Sequence, residues 1–372
     1  MKKLIFTGVA MLAIVSAFAQ NNVSTVNQNV GSNNASVNQT WVAAGDPSGT
    51  RPDQDSKNTS TITQTGDSQG GNSATIKQIG TSNATATQVG HNNNTTIDQI
   101  NNGGRSGLSF ENNATVNQGV GGAAFDNTAN ITQRGHTNTG TATQIGSSHE
   151  AFIDQQSALT NGKATIDQSG TNHFASIVQN GSTVPPSSPG ATDNGNFGPN
   201  MATVIQSGAD QIAFVTQLTD GNTAMVEQSG TSNDARVNQG TAGETPGSAG
   251  DHKALVQQLG TNGDTFIEQT GRANEAKTYQ TANDNRIEVR QSNGLNVAAM
   301  SQQDGDSNRA NITQSGNNNV LKGLSDEYGR QSGSLNQFTS SQTGGFGTIL
   351  LGQTGVNNMA NVTQSGGGVI VP

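Results

Sequence analysis

The chain has 372 residues, no cysteine and a formal net charge of −9 at pH 7, and hydrophobic residues make up 30% of it. The negative charge makes phosphate backbones poor partners, so we do not expect nucleic-acid binding. The lack of cysteine excludes disulfides and thiolate metal sites. Such a composition would indicate disorder in a sequence without a period, but this sequence has one.

Residues 1–19 have the features of a secretory signal peptide. Lys2 and Lys3 precede an apolar run from Leu4 to Val15, and Ala17-Phe18-Ala19 matches a cleavage signal. The run is too short to span a bilayer, and no later run reaches the roughly 18 apolar residues of a transmembrane helix. We therefore expect a secreted protein without a transmembrane segment.

From residue 20 to 372 an eleven-residue unit recurs as Gln-x-Gly-x-x-Asn-x-Ala-x-hydrophobe-x, followed by the next Gln. One copy contains Gln228, Gly230, Asn233, Ala235 and Val237. A fixed period indicates stacked, similar units. Insertions lengthen some steps near 41–57, 101–108, 181–197, 241–251 and 317–330. Proline, glycine and aspartate in these insertions predict surface loops.

Within each repeat, Asn, Ala, the hydrophobe and Gln alternate with other residues, and this period of two is typical of a strand. The hydrophobe is mostly β-branched, which favours strands, and x-Gly-x-x is typical of a turn. A strand of about seven residues covers about 23 Å, whereas a four-residue turn spans at most about 14 Å. A second strand must therefore return the chain to its start.

This geometry predicts an all-β fold, a two-sheet parallel β-solenoid with two ~11-residue strand-turn repeats in each of about 13 rungs. A three-sided coil with three repeats per rung is the alternative. Alanine and Val or Ile would fill the core, and the inward amides would bond from rung to rung, because an unpaired buried amide costs roughly 1–3 kcal/mol. The end rungs would present unpaired backbone groups, and no polar capping domain follows Gln364.

The repeat spacing resembles the curlin repeat of bacterial curli fibres over nearly the whole mature chain. The resemblance implies a secreted, major-curlin-like structural subunit that reaches the cell surface through the periplasm. It would polymerise into extracellular, curli-like functional amyloid fibres that support a biofilm matrix and adhesion. The implied partners are further copies of the chain, a minor curlin nucleator and an outer-membrane curli secretion pore.

The resemblance also implies that the repeat amides drive polymerisation. In one pair of repeats the matching residues are Gln168, Asn172 or a near neighbour, and Gln179. The predicted polymerisation and core-ladder residues are Gln28, Gln39, Gln78, Gln88, Gln144, Gln168, Gln179, Gln217, Gln228, Asn233, Gln239, Gln269, Gln314, Gln353 and Gln364.

No catalytic, metal or cofactor site is expected, because no constellation of nucleophile, base and acid is recognisable. The histidines fall at or near predicted turns without ligand spacing, so we expect them to be solvated. They are His91, His136, His149, His173 and His252.

Two other functions compete with fibre formation. A monomeric cell-surface adhesin would use the long loops as its contact surface. An ice-binding solenoid is the less favoured reading: it would need a flat Thr-x-Thr array, such as Thr61 with Thr63 and Thr85 with Thr87. Residues such as Phe152, Met225, Arg236 and Glu288 occupy equivalent positions, so the sequence does not predict a continuous flat threonine face.

Overall fold

The structure is a computed structural model that describes residues 22–40, 58–66, 70–100, 111–120, 124–135, 137–156, 161–180, 199–241, 250–323 and 328–371. The predicted signal peptide at 1–19 lies outside these residues. So do the predicted insertions near 41–57, 101–108 and 181–197 and most of the one near 241–251. In the described part of the chain every regular element is a β-strand, so no helix there could cross a membrane.

The first fifteen strands are β1 (Val23–Asn29), β2 (Asn34–Thr40), β3 (Asn58–Thr65), β4 (Ser73–Ile79), β5 (Ser82–Val89), β6 (Asn94–Ile100), β7 (Asn112–Gln118), β8 (Ala124–Phe125), β9 (Thr128–Arg134), β10 (Thr139–Ser147), β11 (Glu150–Gln155), β12 (Lys163–Thr171), β13 (Phe174–Gln179), β14 (Met201–Ala209) and β15 (Ile212–Gln217). The remaining strands are β16 (Thr223–Thr231), β17 (Asp234–Gln239), β18 (Lys253–Gln258), β19 (Asp264–Gln269), β20 (Glu275–Gln280), β21 (Arg286–Ser292), β22 (Val297–Gln303), β23 (Arg309–Ser315), β24 (Val320–Gly323), β25 (Gly329–Ser332), β26 (Gln337–Thr343), β27 (Gly347–Thr354), β28 (Met359–Ser365) and β29 (Gly368–Ile370).

Consecutive strands alternate between two parallel sheets. Sheet 1 runs β1-β3-β5-β7-β10-β12-β14-β16-β18-β20-β22, then β24 and β25, then β27 and β29, with β8 beside β10. Sheet 2 has 13 strands in the order β2-β4-β6-β9-β11-β13-β15-β17-β19-β21-β23-β26-β28. This confirms the predicted two-sheet parallel solenoid and its rung number, and the three-sided alternative is wrong.

The register follows the repeat rather than the insertions. In sheet 1, Gln168 pairs with Gln206 and Gln206 pairs with Gln228, although the first step contains the predicted 181–197 insertion. A shift of one residue would turn every inward side chain outward. Burial of the alternate residues therefore holds each strand to the same alignment.

A single apolar core lies between the sheets. Each strand contributes mainly one alanine and one β-branched residue, for example Ala164 and Ile166 in β12 and Ala175 and Ile177 in β13. All four are fully buried. A buried Ile contributes roughly 1.5–3 kcal/mol, so thin layers repeated along the rod replace the large core of a globular protein.

The turn glycines bring adjacent rungs close together. Gly170 has φ +117° and pairs with Gly208, and a Cβ at Gly170 would collide with the carbonyl oxygen of Gly208. Glycine is therefore required by the backbone conformation and by the approach of the next rung.

One rung is divided between two short strands. β24 and β25 both pair with β22 on one side and with β27 on the other. β24 lies inside the segment near 317–330 that the sequence analysis assigns to an insertion, and residues 324–327 lie outside the described part. The sheet therefore continues on both sides of this interruption.

Candidate polymerisation core

The repeat-closing glutamines bond directly from rung to rung. Gln168 Oε1 accepts a hydrogen bond from Gln144 Nε2 at 3.0 Å, and Gln168 Nε2 donates to Gln206 Oε1 at 2.9 Å. The same Nε2 also donates to the backbone carbonyl of Glu150 in the opposite sheet at 3.1 Å. One side chain thus joins three rungs and both sheets without leaving a buried amide hydrogen unpaired.

Two glutamine ladders extend through the described rungs, one in each sheet. Bond lengths in both lie between 2.7 and 3.1 Å. The sheet 1 ladder contains Gln28, Gln64, Gln88, Gln118, Gln144, Gln168, Gln206, Gln228, Gln258, Gln280, Gln302, Gln331 and Gln353. The sheet 2 ladder contains Gln39, Gln78, Gln99, Gln133, Gln155, Gln179, Gln217, Gln239, Gln269, Gln291, Gln314, Gln342 and Gln364.

Both ladders have the same polarity. In every link Nε2 of the earlier glutamine donates to Oε1 of the later one, as between Gln206 and Gln228. The second N–H fixes this choice, because it faces a backbone carbonyl, which accepts but cannot donate; for Gln228 that carbonyl belongs to Ile212. The glutamine hydrogen bonds therefore all point from the N-terminal end of the rod towards its C-terminal end.

The structure places every predicted ladder glutamine in one of these two rows. Their role in polymerisation stays a prediction. The predicted Asn233 lies at a corner instead, just before β17, and its Oδ1 accepts the backbone N–H of Gly263 in the next rung at 2.8 Å. Its Nδ2 donates to the carbonyls of Ser229 and Gly260 at 2.9 and 3.0 Å.

The residues that precede the sheet 2 strands, apart from Gly263 before β19, form a second polar row, here called the corner stack. Its side chains are buried in the central rungs, and most of its members receive the next rung's backbone N–H as Asn233 does. The prediction that inward asparagines bond amide to amide is wrong for most of them, because the side-chain oxygen accepts a backbone N–H. The stack contains Asn33, Asn72, Asn93, Asn127, His149, His173, Gln211, Asn233, Asn285, Asn308, Asn336 and Asn358.

Histidine replaces asparagine at two positions of the corner stack. The backbone N–H of His173 donates to Nδ1 of His149 at 3.3 Å, and Nε2 of His149 lies 3.1 Å from the carbonyl of Ile145. Since Nδ1 accepts, the ring proton is on Nε2. A neutral imidazole in this tautomer has an acceptor and a donor in the places of the asparagine Oδ1 and Nδ2.

The expectation that the histidines are solvated is wrong for His149, His173 and His252, which are at most 1% exposed. His252 lies at the other corner, before β18, and its Nδ1 accepts the backbone N–H of Asn274 at 3.3 Å. Their placement at turns was predicted, but the inward direction of the rings was not. His136 lies outside the described residues.

Burial opposes protonation of these rings. It lowers the pKa of His149 to about 4, against the opposing effect of the Ile145 carbonyl, and His173 lowers it further. Burial likewise lowers the pKa of His252 to about 4 and that of His173 below its usual range. The rings therefore remain neutral near pH 7 and fit the acceptor role that the corners require.

Asn172, which the repeat spacing matched to the inward asparagine together with its near neighbours, does not point into the core. This residue is exposed, has φ +57°, and donates from Nδ2 to Oδ1 of Asp210 at 2.7 Å. Its neighbour His173 occupies the inward corner position. The signal that could have revealed this is the distance to the next strand, because members of the corner stack directly precede a sheet 2 strand, as His173 precedes β13.

The ends of the ladders are less enclosed than the middle. Gln353 and Gln364 are 8% and 6% exposed, whereas Gln168 is fully buried. At the other end Gln28 is exposed, and no described residue donates to its Oε1. Within the described residues β1, β2 and β28 each pair on one side only. Glutamine side-chain hydrogen-bond acceptors are therefore available at the first rung, and side-chain N–H donors are available at the last rung.

Opposite charges on the outer face of β17, β19 and β21 are paired with each other. Arg236 contacts Asp234 at 3.1 Å, and Arg286 contacts Asp264 at 3.5 Å. Arg290 contacts Glu268 at 3.3 Å. These exposed pairs contribute little to stability. Across the described segments no group of three or more His, Cys, Asp or Glu is placed to hold a metal ion.

Comparison with protein-family models gives four matches to the curlin associated repeat, at residues 126–156, 199–230, 213–240 and 282–316. The chain contains curlin repeats. No curated protein matches it. The matched curlin repeats cover β9 to β11, β14 to β17 and β21 to β23, and the same ladders continue through the strands between them. The repeats make this a curli-related structural protein.

Proposed function

We propose that this curlin-repeat protein is a secreted structural subunit that polymerises outside the cell into curli-like amyloid fibres of a biofilm matrix, with adhesion as a consequence. The observation that carries the proposal is the pair of unbroken glutamine ladders, which have one polarity and reach the first and last rungs. It is not proposed to be an enzyme. Export through an outer-membrane curli pore and nucleation by a minor curlin belong to the same proposal.

The polarity of the ladders determines how two subunits join. Head-to-tail stacking brings Nε2 of Gln353 and Gln364 to Oε1 of Gln28 and Gln39 of the next molecule, and it keeps every strand parallel. Head-to-head stacking would bring acceptors against acceptors and would require antiparallel pairing. Exposed apolar residues at the ends also favour stacking: Val23 is 46% exposed and Met359 is 67% exposed.

Seeded growth tests the function directly. Purified mature protein should form fibres that bind thioflavin T, and preformed fragments should remove the lag, because an open end supplies the template. The competing adhesin function requires the protein to remain monomeric at high concentration whether or not seeds are added. That result would overturn the proposal.

Cross-linking tests the direction of stacking. The chain contains no cysteine, so Ser36→Cys and Asn361→Cys each introduce one thiol on the outward side of β2 or β28. In a head-to-tail junction these positions are in register, about 4.8 Å apart, which is within the range for a disulfide. A mixture of the two variants should give mixed disulfides. Disulfides that join two molecules of the Ser36→Cys variant would instead indicate head-to-head stacking.

A further inference from the structure

The central outward positions of five sheet 1 strands carry hydroxyl and amide groups and no charge, and the carboxylate of Glu111 lies at their margin, where it accepts a hydrogen bond from Asn83 Nδ2 at 2.9 Å. None of β1, β3, β5, β7 and β10 contains Asp, Glu, Lys or Arg. We define the threonine face as the two central outward columns of these five sheet 1 strands. It consists of Thr25, Asn27, Thr61, Thr63, Thr85, Thr87, Thr115, Asn117, Thr141 and Thr143.

The columns of this face are in register. Thr61, Thr85, Thr115 and Thr141 follow one another on adjacent strands, and the column continues through Thr165. Asp167 ends the second column one strand after Thr143. Within the described chain no hydrogen bond involves the threonine hydroxyls of the face. Apart from Asn27 and Asn117, the face is therefore a regular array of threonine methyl groups and of hydroxyls that have no hydrogen-bond partner among the described residues.

This continuity could not be predicted from the repeat alone, because most of the residues that interrupt the threonines belong to the other sheet. Phe152, Arg236 and Glu288 lie on β11, β17 and β21 of sheet 2. Over the rungs of the threonine face, sheet 2 carries Lys77 and Asp98. The charges that keep sheets from associating sideways are thus absent from the central outward columns of sheet 1 over these five rungs, and they return from β12 onwards with Asp167.

We propose that the threonine face is the contact through which two rods of this chain associate side by side. The inference rests on the proposed function, because it concerns the assembled fibre. Copies of a chain with net charge −9 repel each other least where neither surface is charged. A partner must also match the rung spacing of about 4.8 Å over many rungs, and another copy of the rod does so. The uniform threonine column from Thr25 to Thr141 can then interdigitate with the same column of the partner, as in a steric zipper.

The size of the face indicates when association occurs. The two columns take up about four residues of each strand, so over five rungs they cover about 24 Å by about 13 Å, or roughly 310 Å² on each partner. A stable pair needs about 800 Å² per partner, so single subunits should not pair lastingly. In a head-to-tail fibre the face recurs on the same side of every subunit, and the contacts reinforce one another. We therefore expect fibres to bundle and monomers not to dimerise.

The test compares two charged double variants. Thr85→Lys with Thr141→Lys places charges on the threonine face, and Thr75→Lys with Thr96→Lys places them at outward sheet 2 positions. Fibre width is measured by electron microscopy and elongation by seeded thioflavin fluorescence. We expect the first variant to lose bundling and the second to bundle like the wild type. Both should elongate within about twofold of the wild-type rate, because surface substitutions have small effects.

Each outcome is decisive. Bundling in both variants, or its loss in both, would overturn the inference. Wild-type fibres that stay single would overturn it while leaving the proposed function intact, whereas a wild type that forms no fibres would overturn both. An ice-recrystallisation assay on the same proteins covers the ice-binding alternative: inhibition by wild-type protein with single fibres would assign the face to ordered water instead.

Discussion

The rings of His149 and His173 stack with their centroids 4.9 Å apart and their planes within 6°. The backbone N–H of His173 points at Nδ1 of His149. Protonation of that nitrogen would replace an acceptor with a donor facing another donor. The corner stack therefore holds only neutral imidazoles, and this gives the rod an acid sensitivity that asparagine would not give.

We predict that stability falls as the pH decreases from about 6.5 to about 4. An unfolded histidine binds a proton near its ordinary pKa of 6.5, whereas burial lowers the pKa of folded His149 to about 4. In this window the unfolded chain binds more protons, so acid favours unfolding. Replacing both residues, by His149→Asn and His173→Asn, should flatten this part of the pH dependence.

The measurement is the guanidinium midpoint of the protein, or of its fibres, at several pH values across this window. Carboxylates titrate in the same range but are common to the wild type and the double variant, so the difference between the two curves reports the imidazoles. Parallel curves would show that the two histidines do not couple folding to pH.

Substitution of two adjacent glutamines, one inside the ladder and one outside it, measures how much the ladder hydrogen bonds contribute to the free energy of unfolding. Gln302 is inward and bonds to Gln280 and Gln331, whereas Gln303 is partly exposed on the outer side of β22. Gln302→Ala leaves both neighbours short of a partner, and each should cost about 1–3 kcal/mol. Gln303→Ala should change the free energy of unfolding by less than about 0.5 kcal/mol. Denaturant titration of both variants measures the difference, and equal effects would argue against a stabilising ladder.

The turn glycines give a steric prediction. Gly170→Ala places a Cβ against the Gly208 carbonyl at a left-handed backbone conformation, and we expect it to destabilise the rod by at least about 1–2 kcal/mol. Gly367→Ala is the matched control, because its nearest contact is 3.6 Å away and its φ is ordinary. Thermal unfolding should separate the variants, and a tolerated Gly170→Ala would show that the turn can relax.

The segment after β28 competes with a docking subunit. β29 pairs with Gly347–Ile349 of β27, and Gln364 Nε2 donates to the Gly368 carbonyl at 2.7 Å. Head-to-tail stacking needs the edge of β27 that β29 occupies. Deleting 366–372 should therefore speed elongation roughly fivefold, since about 1 kcal/mol of competing hydrogen bonding is removed.

Ile370→Asp provides a second test of this segment without shortening the chain. Ile370 is partly buried against the core, so a charge there should detach β29 and speed elongation in the same direction. Seeded growth rates at a fixed seed concentration measure both changes. Slower growth in both variants would mean that β29 forms part of the junction between subunits.

Much of the fold can be read from residue order because the pattern is periodic. Alternation places Ala235, Val237 and Gln239 on one face of a strand, and the short turn makes a returning strand necessary. These two facts predict the two sheets, the rung number and the alignment of the glutamines. The insertions do not disturb this prediction, since a loop of any length can leave the solenoid and return in register.

The amino-acid sequence by itself determined the period, the sheets and the inward glutamines, because a two-residue alternation leaves only one face for them. Only the tertiary structure decided what depends on neighbours in other rungs. It turned His173 rather than Asn172 inward, because the corner next to each strand is enclosed by the rungs above and below. Backbone carbonyls of the opposite sheet set the polarity of the ladders. The stacking of rungs placed uncharged outward residues from distant repeats side by side on one face.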